Sequence, residues 1–456
     1  MKSLTVVILA AGEGTRMASR IPKVLHPLGG EPMLFYVIRA AIALRPKKIV
    51  IVLGRDEDRI QAKVMEEFSS AKMITFARQS KPLGTAHAVA SIKGQFKDTG
   101  TLLVLYGDVP LVSKDSLEDL LSFHKRERNR ATVLTARLAN PYGYGRVVRG
   151  PTNALLKIVE EIDASLRELS IHEINSGIYA FEWDTLSAVL PNITMNNAKK
   201  EYYLTDTLEI LRNQGLRVGG WLTSNGEEVL GINSRVDLAR AESVLQRLTL
   251  EGLMSEGVTI FLPHSVFIEP RVSIGEDSVI YPGTIIKGRT VVGKGCVLGP
   301  NLYIERSTVG NNVRAHYSYI REATVADSVN IGPFSHLRPG THVDSKARVG
   351  NFTEIKSSHI GEEAKVPHLS YIGDSEIGVR ANIGAGTITC NYDGVRKNKT
   401  VIDNDTSIGS NVNLIAPVKI GRNSLIAAGS TITRDVPSNT LAVARSYQVN
   451  KRRNLN

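Results

Sequence analysis

The strongest constraint on this chain is a period. From about Val258 to Val436 an aliphatic residue followed by glycine keeps returning, as in Ile274-Gly275, Val292-Gly293, Val309-Gly310, Val349-Gly350, Ile360-Gly361, Ile377-Gly378, Ile408-Gly409 and Ile420-Gly421. Most intervals are multiples of six or one residue short. Six is too long for an alternating strand and does not match the helical turn. It does match a parallel β-helix of hexapeptides, with three flat faces to a coil. The aliphatic side chain points inward, and the glycine suits a corner where a side chain or a strict φ would obstruct the turn. About ten coils at ~4.8 Å make a prism roughly 48 Å long. Such a prism has no room inside for a ligand, so its sites lie on its outside.

The pattern ahead of the prism is different. Residues 4–10, Ile49–Leu53, Leu102–Tyr106 and Ala131–Leu138 are apolar runs that read as buried parallel strands. Met33–Leu44, Asp56–Phe68, Thr85–Ile92 and Lys114–Lys125 carry helical patterns between them. The alternation predicts a doubly wound, Rossmann-like α/β domain over residues 1–226, with its ligand at the carboxyl ends of the strands. Residues 227–257 read as a linker. Its amphipathic helix, Ser234–Glu256, has Leu238, Ala241, Leu245 and Leu248 on one stripe and Asn233 or Ser234 as the cap. Residues 258–456 hold the left-handed β-helix and a basic tail.

A net charge of +11 suits an anionic partner. The longest basic run is Lys451-Arg452-Arg453, which favours phosphorylated small molecules over nucleic acid. Two cysteines, Cys296 and Cys390, fit a reducing cytoplasm. No apolar stretch approaches the ~20 residues of a membrane span.

The first strand runs into Leu9-Ala10-Ala11-Gly12-Glu13-Gly14-Thr15-Arg16-Met17. Glycines at a strand end let backbone N–H groups approach phosphates. Met17 stands where a dinucleotide loop needs its third glycine, and no Gly-Lys-Ser/Thr is present, so two familiar phosphate loops are excluded. Arg16 and Lys23 are placed to meet a polyphosphate. Asp108 leaves a strand end, where a carboxylate can hold Mg²⁺ against phosphates.

These stretches, with Pro22-Lys23-Val24-Leu25, Gln79, Pro82-Leu83-Gly84-Thr85-Ala86 and Tyr106-Gly107-Asp108, resemble the signature of nucleotidyltransferases that make nucleotide sugars. Further matches are Tyr142-Gly143-Tyr144-Gly145-Arg146, Glu160, Asn175-Ser176-Gly177, Glu201–Asp206 and Gly231-Ile232-Asn233. Ile162 departs from a place that is usually basic. The resemblance implies that Leu9, Ala10, Ala11, Gly12, Lys23, Gln79, Gly84, Thr85, Tyr106, Gly107, Asp108, Gly145, Glu160, Asn175 and Asn233 bind UTP or the nucleotide sugar. It implies that Arg16 and Lys23 act in catalysis and that Asp108 and Asn233 hold Mg²⁺.

On the prism, Arg338 and Lys356 each follow an inward aliphatic and stand 18 residues, one coil, apart. Stacked cations need an anion between them. A nucleotidyltransferase lobe, a helical arm and a hexapeptide prism together resemble, across essentially the whole chain, the bifunctional N-acetylglucosamine-1-phosphate uridylyltransferases and glucosamine-1-phosphate N-acetyltransferases. That resemblance selects His368 as the general base for acetyl transfer. It assigns Arg338, Lys356, Tyr371, Asn382, Ala385, Asn391, Tyr392, Ser410, Ala428 and Arg445 to the acetyl acceptor and acetyl-CoA, and it implies a homotrimer. Asn391–Thr400 is polar and breaks the period, so an excursion from the coil is expected. The alternatives are a single-function sugar-1-phosphate nucleotidyltransferase with an oligomerising prism, a zinc hydratase using His336, His342 and His359, and a purely structural protein.

Overall fold

The computed structural model describes residues 3–95 and 100–453. The chain divides into two compact units, residues 1–244 and 245–456. In the first, nine strands share one sheet: β1 (Ser3–Leu9), β2 (Lys48–Leu53), β3 (Ile74–Arg78), β4 (Gly100–Tyr106), β5 (Ala131–Arg137), β6 (Arg146–Arg149), β7 (Leu155–Val159), β8 (Glu173–Glu182) and β9 (Val218–Leu222). The main order is β9-β5-β8-β4-β1-β2-β3, and β6 pairs with β8 and β7.

Strands β4, β1, β2 and β3 are parallel, as alternation with helices requires. Alternate residues serve opposite layers. Val6 and Ile8 join Leu34 and Ile38 on one face, and Val7 and Leu9 join Val89 and Leu208 on the other. The helices Met33–Ala43, Glu57–Glu67, Thr85–Ala90 and Lys114–Arg126 lie within two residues of the spans read from periodicity.

The sheet is mixed, because β8 runs antiparallel to both β4 and β5, with a bulge between Asn175 and Tyr179. This strand is covered on both faces. Its apolar run therefore lacks the alternation that marks an exposed-edge hairpin, and a run of that kind carries no direction.

The second unit is the left-handed prism. Three parallel sheets of 11, 10 and 9 strands form its faces. On one face Ile280, Leu298, Ala315, Ile331, Val349, Val366, Ile383, Ile408 and Ile426 stack one above the next, in steps of 16 to 18 residues. The exception is the step of 25 residues from Ile383 to Ile408, where the excursion leaves the coil. The stacked aliphatics form one continuous core. No coil could bury its own face, so each depends on its neighbours. A small residue two places before the inward aliphatic fills the corner: Ser278, Cys296, Ala347, Ala364, Ala381 and Ser424 are all buried there.

Most repeat glycines are needed for clearance rather than for φ, Gly299 (φ 96°) and Gly332 (φ 99°) being left-handed as well. A Cβ on Gly378 would lie 2.5 Å from the Asn404 nitrogen of the next coil, and one on Gly409 would lie 2.5 Å from that of Ala428. The left-handed residue comes two places later, at Asp277 (φ 62°), Asn312 (φ 57°), Glu363 (φ 58°) and Asn411 (φ 54°). Asn and Asp tolerate that conformation best among residues with a side chain.

A helix spans Arg235–Ser255. Ser234 caps it: its N–H and hydroxyl donate to Asp237 Oδ2 (2.9 and 2.8 Å), and the Asp237 N–H donates back to Ser234 Oγ (3.2 Å). Within its own unit, Gln246 ties the helix to Ile268 through two backbone hydrogen bonds of 3.1 Å. Leu250 and Leu253 join the prism core, whereas Leu248 of the expected stripe is exposed. Among the described residues, no helix is long and apolar enough to cross a membrane.

Candidate functional site

A cleft of about 460 Å³ opens at the carboxyl ends of β1 and β4. Ten of the nominated residues line it: Leu9, Ala10, Ala11, Gly12, Lys23, Gln79, Gly84, Thr85, Tyr106 and Asp108. The reasons are local. Gly14 is left-handed (φ 64°), and a Cβ there would sit 2.5 Å from the Lys23 Cβ, so glycine lets the loop close onto Lys23. Gly84 (φ 109°) lies where a Cβ would meet the Tyr202 carbonyl at 2.6 Å. Gln79 Nε2 donates to the Gly84 carbonyl (3.1 Å), and Thr85 Oγ1 accepts the Leu204 N–H (3.0 Å), pinning the wall that carries Glu201. Glu13 and Glu201 also line the cleft, although no motif assigned them a role.

The other nominees lie around this cleft. Gly107 is packed against Leu34, Val24 and Ala10. The Asn175 side chain accepts from Gly177 N–H and Tyr179 OH, both at 2.9 Å, and so shapes the wall at the β8 bulge. Glu160 sits beside Gly145, and burial raises its carboxyl pKa above the ordinary range.

The decisive feature is a hub of charge. Lys23 Nζ donates to Asp108 Oδ2 and, at 2.8 Å, to Asn233 Oδ1. Arg16 donates to the same Asn233 oxygen at 2.9 Å. Asn233 is held at this point because the neighbouring Ile232 N–H bonds the Asp108 carbonyl (2.9 Å) and Gly231 N–H bonds Tyr144 OH (3.0 Å). One carboxylate and one amide oxygen thus converge on a single ammonium. Two hard oxygens with phosphate and water completing the set suit Mg²⁺. Among the described residues no cluster of three or more His, Cys, Asp or Glu side chains could hold a metal by itself. A second cavity of about 530 Å³ reaches the hub through Arg16 and Asn233 and is lined further by Tyr142, Tyr144 and Arg240.

On the prism, five of the nominated residues gather with Asn351 along one corner. Asn351, His368, Ala385, Ser410 and Ala428 occupy equivalent places on successive coils, and Arg445 follows one residue past the next such place. The bonds Leu369 N to Asn351 O (3.0 Å), Gly386 N to Leu369 O (3.1 Å), Asn411 N to Ala385 O (2.7 Å) and Gly429 N to Ser410 O (2.8 Å) link the coils. Arg445 closes the file by donating to the Ala428 carbonyl at 2.7 Å. His368 is exposed, and its Nδ1 meets Asn351 Oδ1 at 2.7 Å. An amide oxygen can only accept, so in the neutral ring Nδ1 carries the proton and Nε2 is the acceptor. Asn351 opens the stretch Asn351–Lys356 that resembles the family's acetyl-acceptor site, but the motif alone gives it no individual role; it stands one coil before His368.

The adjoining face carries Arg338, Lys356 and Tyr371. Arg338 and Lys356 do fall on neighbouring coils, but each has a carboxylate of its own. Arg338 pairs with Glu354 at 2.7 Å, and Lys356 lies 3.8 Å from Asp374. The crowded cation is Lys397 of the excursion, whose contact with Lys356 lowers its pKa. Asn391 also bonds Asp374, and Tyr392 OH donates to the Gly394 carbonyl at 2.6 Å, folding the excursion on itself. Asn382 lies on the other face that meets this corner, opposite Lys365. The three histidines of the hydratase alternative are divided between faces: His342 stacks under His359, which bonds Asp344 at 2.7 Å, while His336 belongs to a different sheet.

A nucleotidyl transferase family model matches residues 5–223, and a bacterial transferase hexapeptide model matches residues 271–306 and 399–434. The Bifunctional protein GlmU of Carboxydothermus hydrogenoformans is 47% identical over 445 residues, which is 98% of each chain. That of Halalkalibacterium halodurans is 45% identical over 452 residues, 99% of this chain and 98% of its own. This chain belongs to the bifunctional GlmU family. The likeness extends to the relative from Geotalea uraniireducens, 45% identical over 453 residues and again 99% of this chain. Membership in the GlmU family makes the chain a transferase with one nucleotidyltransferase lobe and one hexapeptide lobe.

Proposed function

We propose that the chain makes UDP-N-acetylglucosamine in two steps, on one site in each unit. The observation that carries this reading is convergence: motifs scattered from Leu9 to Arg445 gather at one strand-end cleft and along one prism corner.

In the first step His368 Nε2 takes a proton from the 2-amino group of glucosamine 1-phosphate, and the amine attacks the thioester carbonyl of acetyl-CoA. Asn351 keeps the imidazole in the required tautomer. The N–H groups of Gly384 and Gly386 are engaged by Ile408 and Leu369, which leaves the Ala385 N–H between them to face the oxyanion. As the tetrahedral intermediate collapses, the C–S bond breaks and the thiolate of coenzyme A leaves with the proton. Arg338, Lys356 and Lys397 meet the sugar phosphate, and Tyr371 and Asn382 orient the sugar. Asn391, Tyr392, Ser410, Ala428 and Arg445 border the coenzyme.

In the second step the phosphate of N-acetylglucosamine 1-phosphate attacks the α-phosphorus of UTP in line and pyrophosphate leaves. Asp108 and Asn233 would hold Mg²⁺, which neutralises phosphate charge when bound. Arg16 and Lys23 meet the charge of the leaving group. Gly12, Gln79, Gly84 and Thr85 border the nucleotide, and Tyr106, Gly145, Glu160 and Asn175 border the sugar and ribose.

The exposed corner at His368 supports a homotrimer in which copies cover one another's acetyl site, and the cosubstrates suit a cytoplasmic enzyme. The test is a coupled assay with glucosamine 1-phosphate, acetyl-CoA, UTP and Mg²⁺, repeated with each omitted. UDP-N-acetylglucosamine should form only in the complete mixture. Uridylyl transfer without any acetyl transfer would return the prism to an oligomerising role.

A further inference from the structure

We propose that Arg235 is a positioning residue for uridylyl transfer, binding into one rigid unit the two loops that carry the cations and the segment that carries Asn233. This rests on the reading of the first unit as the uridylyl site.

Arg235 lies two residues beyond Asn233, at the start of the helix Arg235–Ser255. Its Nε donates to the Met17 carbonyl at 3.3 Å, and one terminal nitrogen donates to His26 Nδ1 at 3.2 Å. Met17 ends the turn Thr15–Met17 that carries Arg16, and the His26 N–H closes the turn Lys23–Leu25 through the Lys23 carbonyl at 3.2 Å. Arg235 therefore joins the same three segments that Asn233 Oδ1 joins by accepting from Arg16 and Lys23. One junction is made at the reacting centre, and the other is made behind it.

The imidazole of His26 is suited to this task. It is fully buried, and burial, followed by the charge of Arg235, holds its pKa below the ordinary value, so Nδ1 is an acceptor at neutral pH. Its Nε2 has no hydrogen-bond partner among the described residues. A position chosen only for packing would take a leucine and avoid that desolvation. A guanidinium donates in two fixed directions, whereas the single ammonium of lysine cannot hold both loops in the same geometry.

The full-length chain carrying Arg235→Met, and separately Arg235→Lys, is compared with the unsubstituted chain. Uridylyl kcat should fall on the order of 10- to 100-fold in both, because small misplacements of catalytic groups cost about that much. KM for UTP should stay within about threefold, the Mg²⁺ concentration for half-maximal rate should rise, and acetyl transfer should be unchanged. UTP binding followed calorimetrically should be nearly retained. His26→Leu should reproduce the loss, and the double variant His26→Leu/Arg235→Met should be no worse than either single one. The inference falls if kcat stays within about twofold, or if uridylyl and acetyl transfer decline together with the melting temperature. If the unsubstituted chain makes no UDP-sugar, the functional reading itself fails and this inference with it.

Discussion

At the scale of single residues, the partner of a catalytic group matters as much as the group. Asn351 fixes the proton of His368 on Nδ1. Asn351→Ala is expected to lower acetyl-transfer kcat by roughly 10- to 100-fold, the usual cost of removing an orienting partner, with uridylyl transfer untouched. Equal activity in a continuous thiol-release assay would show that His368 orients itself. A second residue-scale prediction concerns pH. Burial, with Glu209 and Asp163 adding repulsion, lifts the Asp206 carboxyl to about 6. A raised carboxyl favours the fold while protonated: its contribution is complete below 3.8 and is lost as pH rises through about 6. Asp206→Asn should therefore raise the melting temperature at pH 8 and lose that advantage near pH 4. A pH-independent difference would rule this out. The loop Gly12–Arg16, Lys23 and Asp108 could be read from local chemistry, namely glycines at a strand end, a basic pair and a carboxylate after β4, whereas His368 and Asn233 were reached only through the family resemblance. The contacts of Asn351 with His368 and of Arg235 with Met17 and His26 were not legible, because they are made to residues one coil or more than two hundred positions away.

At the scale of elements, the period in the sequence is a record of stacking. The coil spacing leaves no room for a Cβ at the repeat glycines, so Gly409→Val should destabilise the prism by about 1–3 kcal/mol, as overpacking does, measured as earlier thermal unfolding of that unit. A neutral result would mean that the coils can spread. The excursion after Cys390 stands differently. It adds residues without shifting the ladder, because Thr400–Ile402 rejoins Ser375–Ile377 in register. Its own scaffold is Asp393, whose carboxylate accepts from Arg396, Asn398 and Val395 and is drawn down to about 2. Shortening residues 392–398 to a plain corner should leave folding intact by circular dichroism and weaken glucosamine 1-phosphate binding through loss of Lys397. The helices and the prism were readable from period alone. The direction of β8 was not, because burial on both faces erases the alternation that pairing direction leaves in a sequence.

At the scale of the whole molecule, the two units hold separate chemistry, and each should fail alone. His368→Ala should abolish acetyl transfer and spare uridylyl transfer, and Asp108→Ala should do the reverse. Loss of both activities in either folded variant would contradict two independent sites.

The corner file sets a further requirement on the donor. From His368 through Ala385 and Ser410 to Ala428, whose carbonyl holds the Arg445 guanidinium, there are three coil steps, or about 14 Å at the spacing between strands. The wall of the prism is thus a ruler with a reactive mark at one end and a cationic mark at the other. On the proposed acetyl-transfer site, acyl donors should be selected by reach, and a thioester on a short thiol, however reactive, should touch only the first mark.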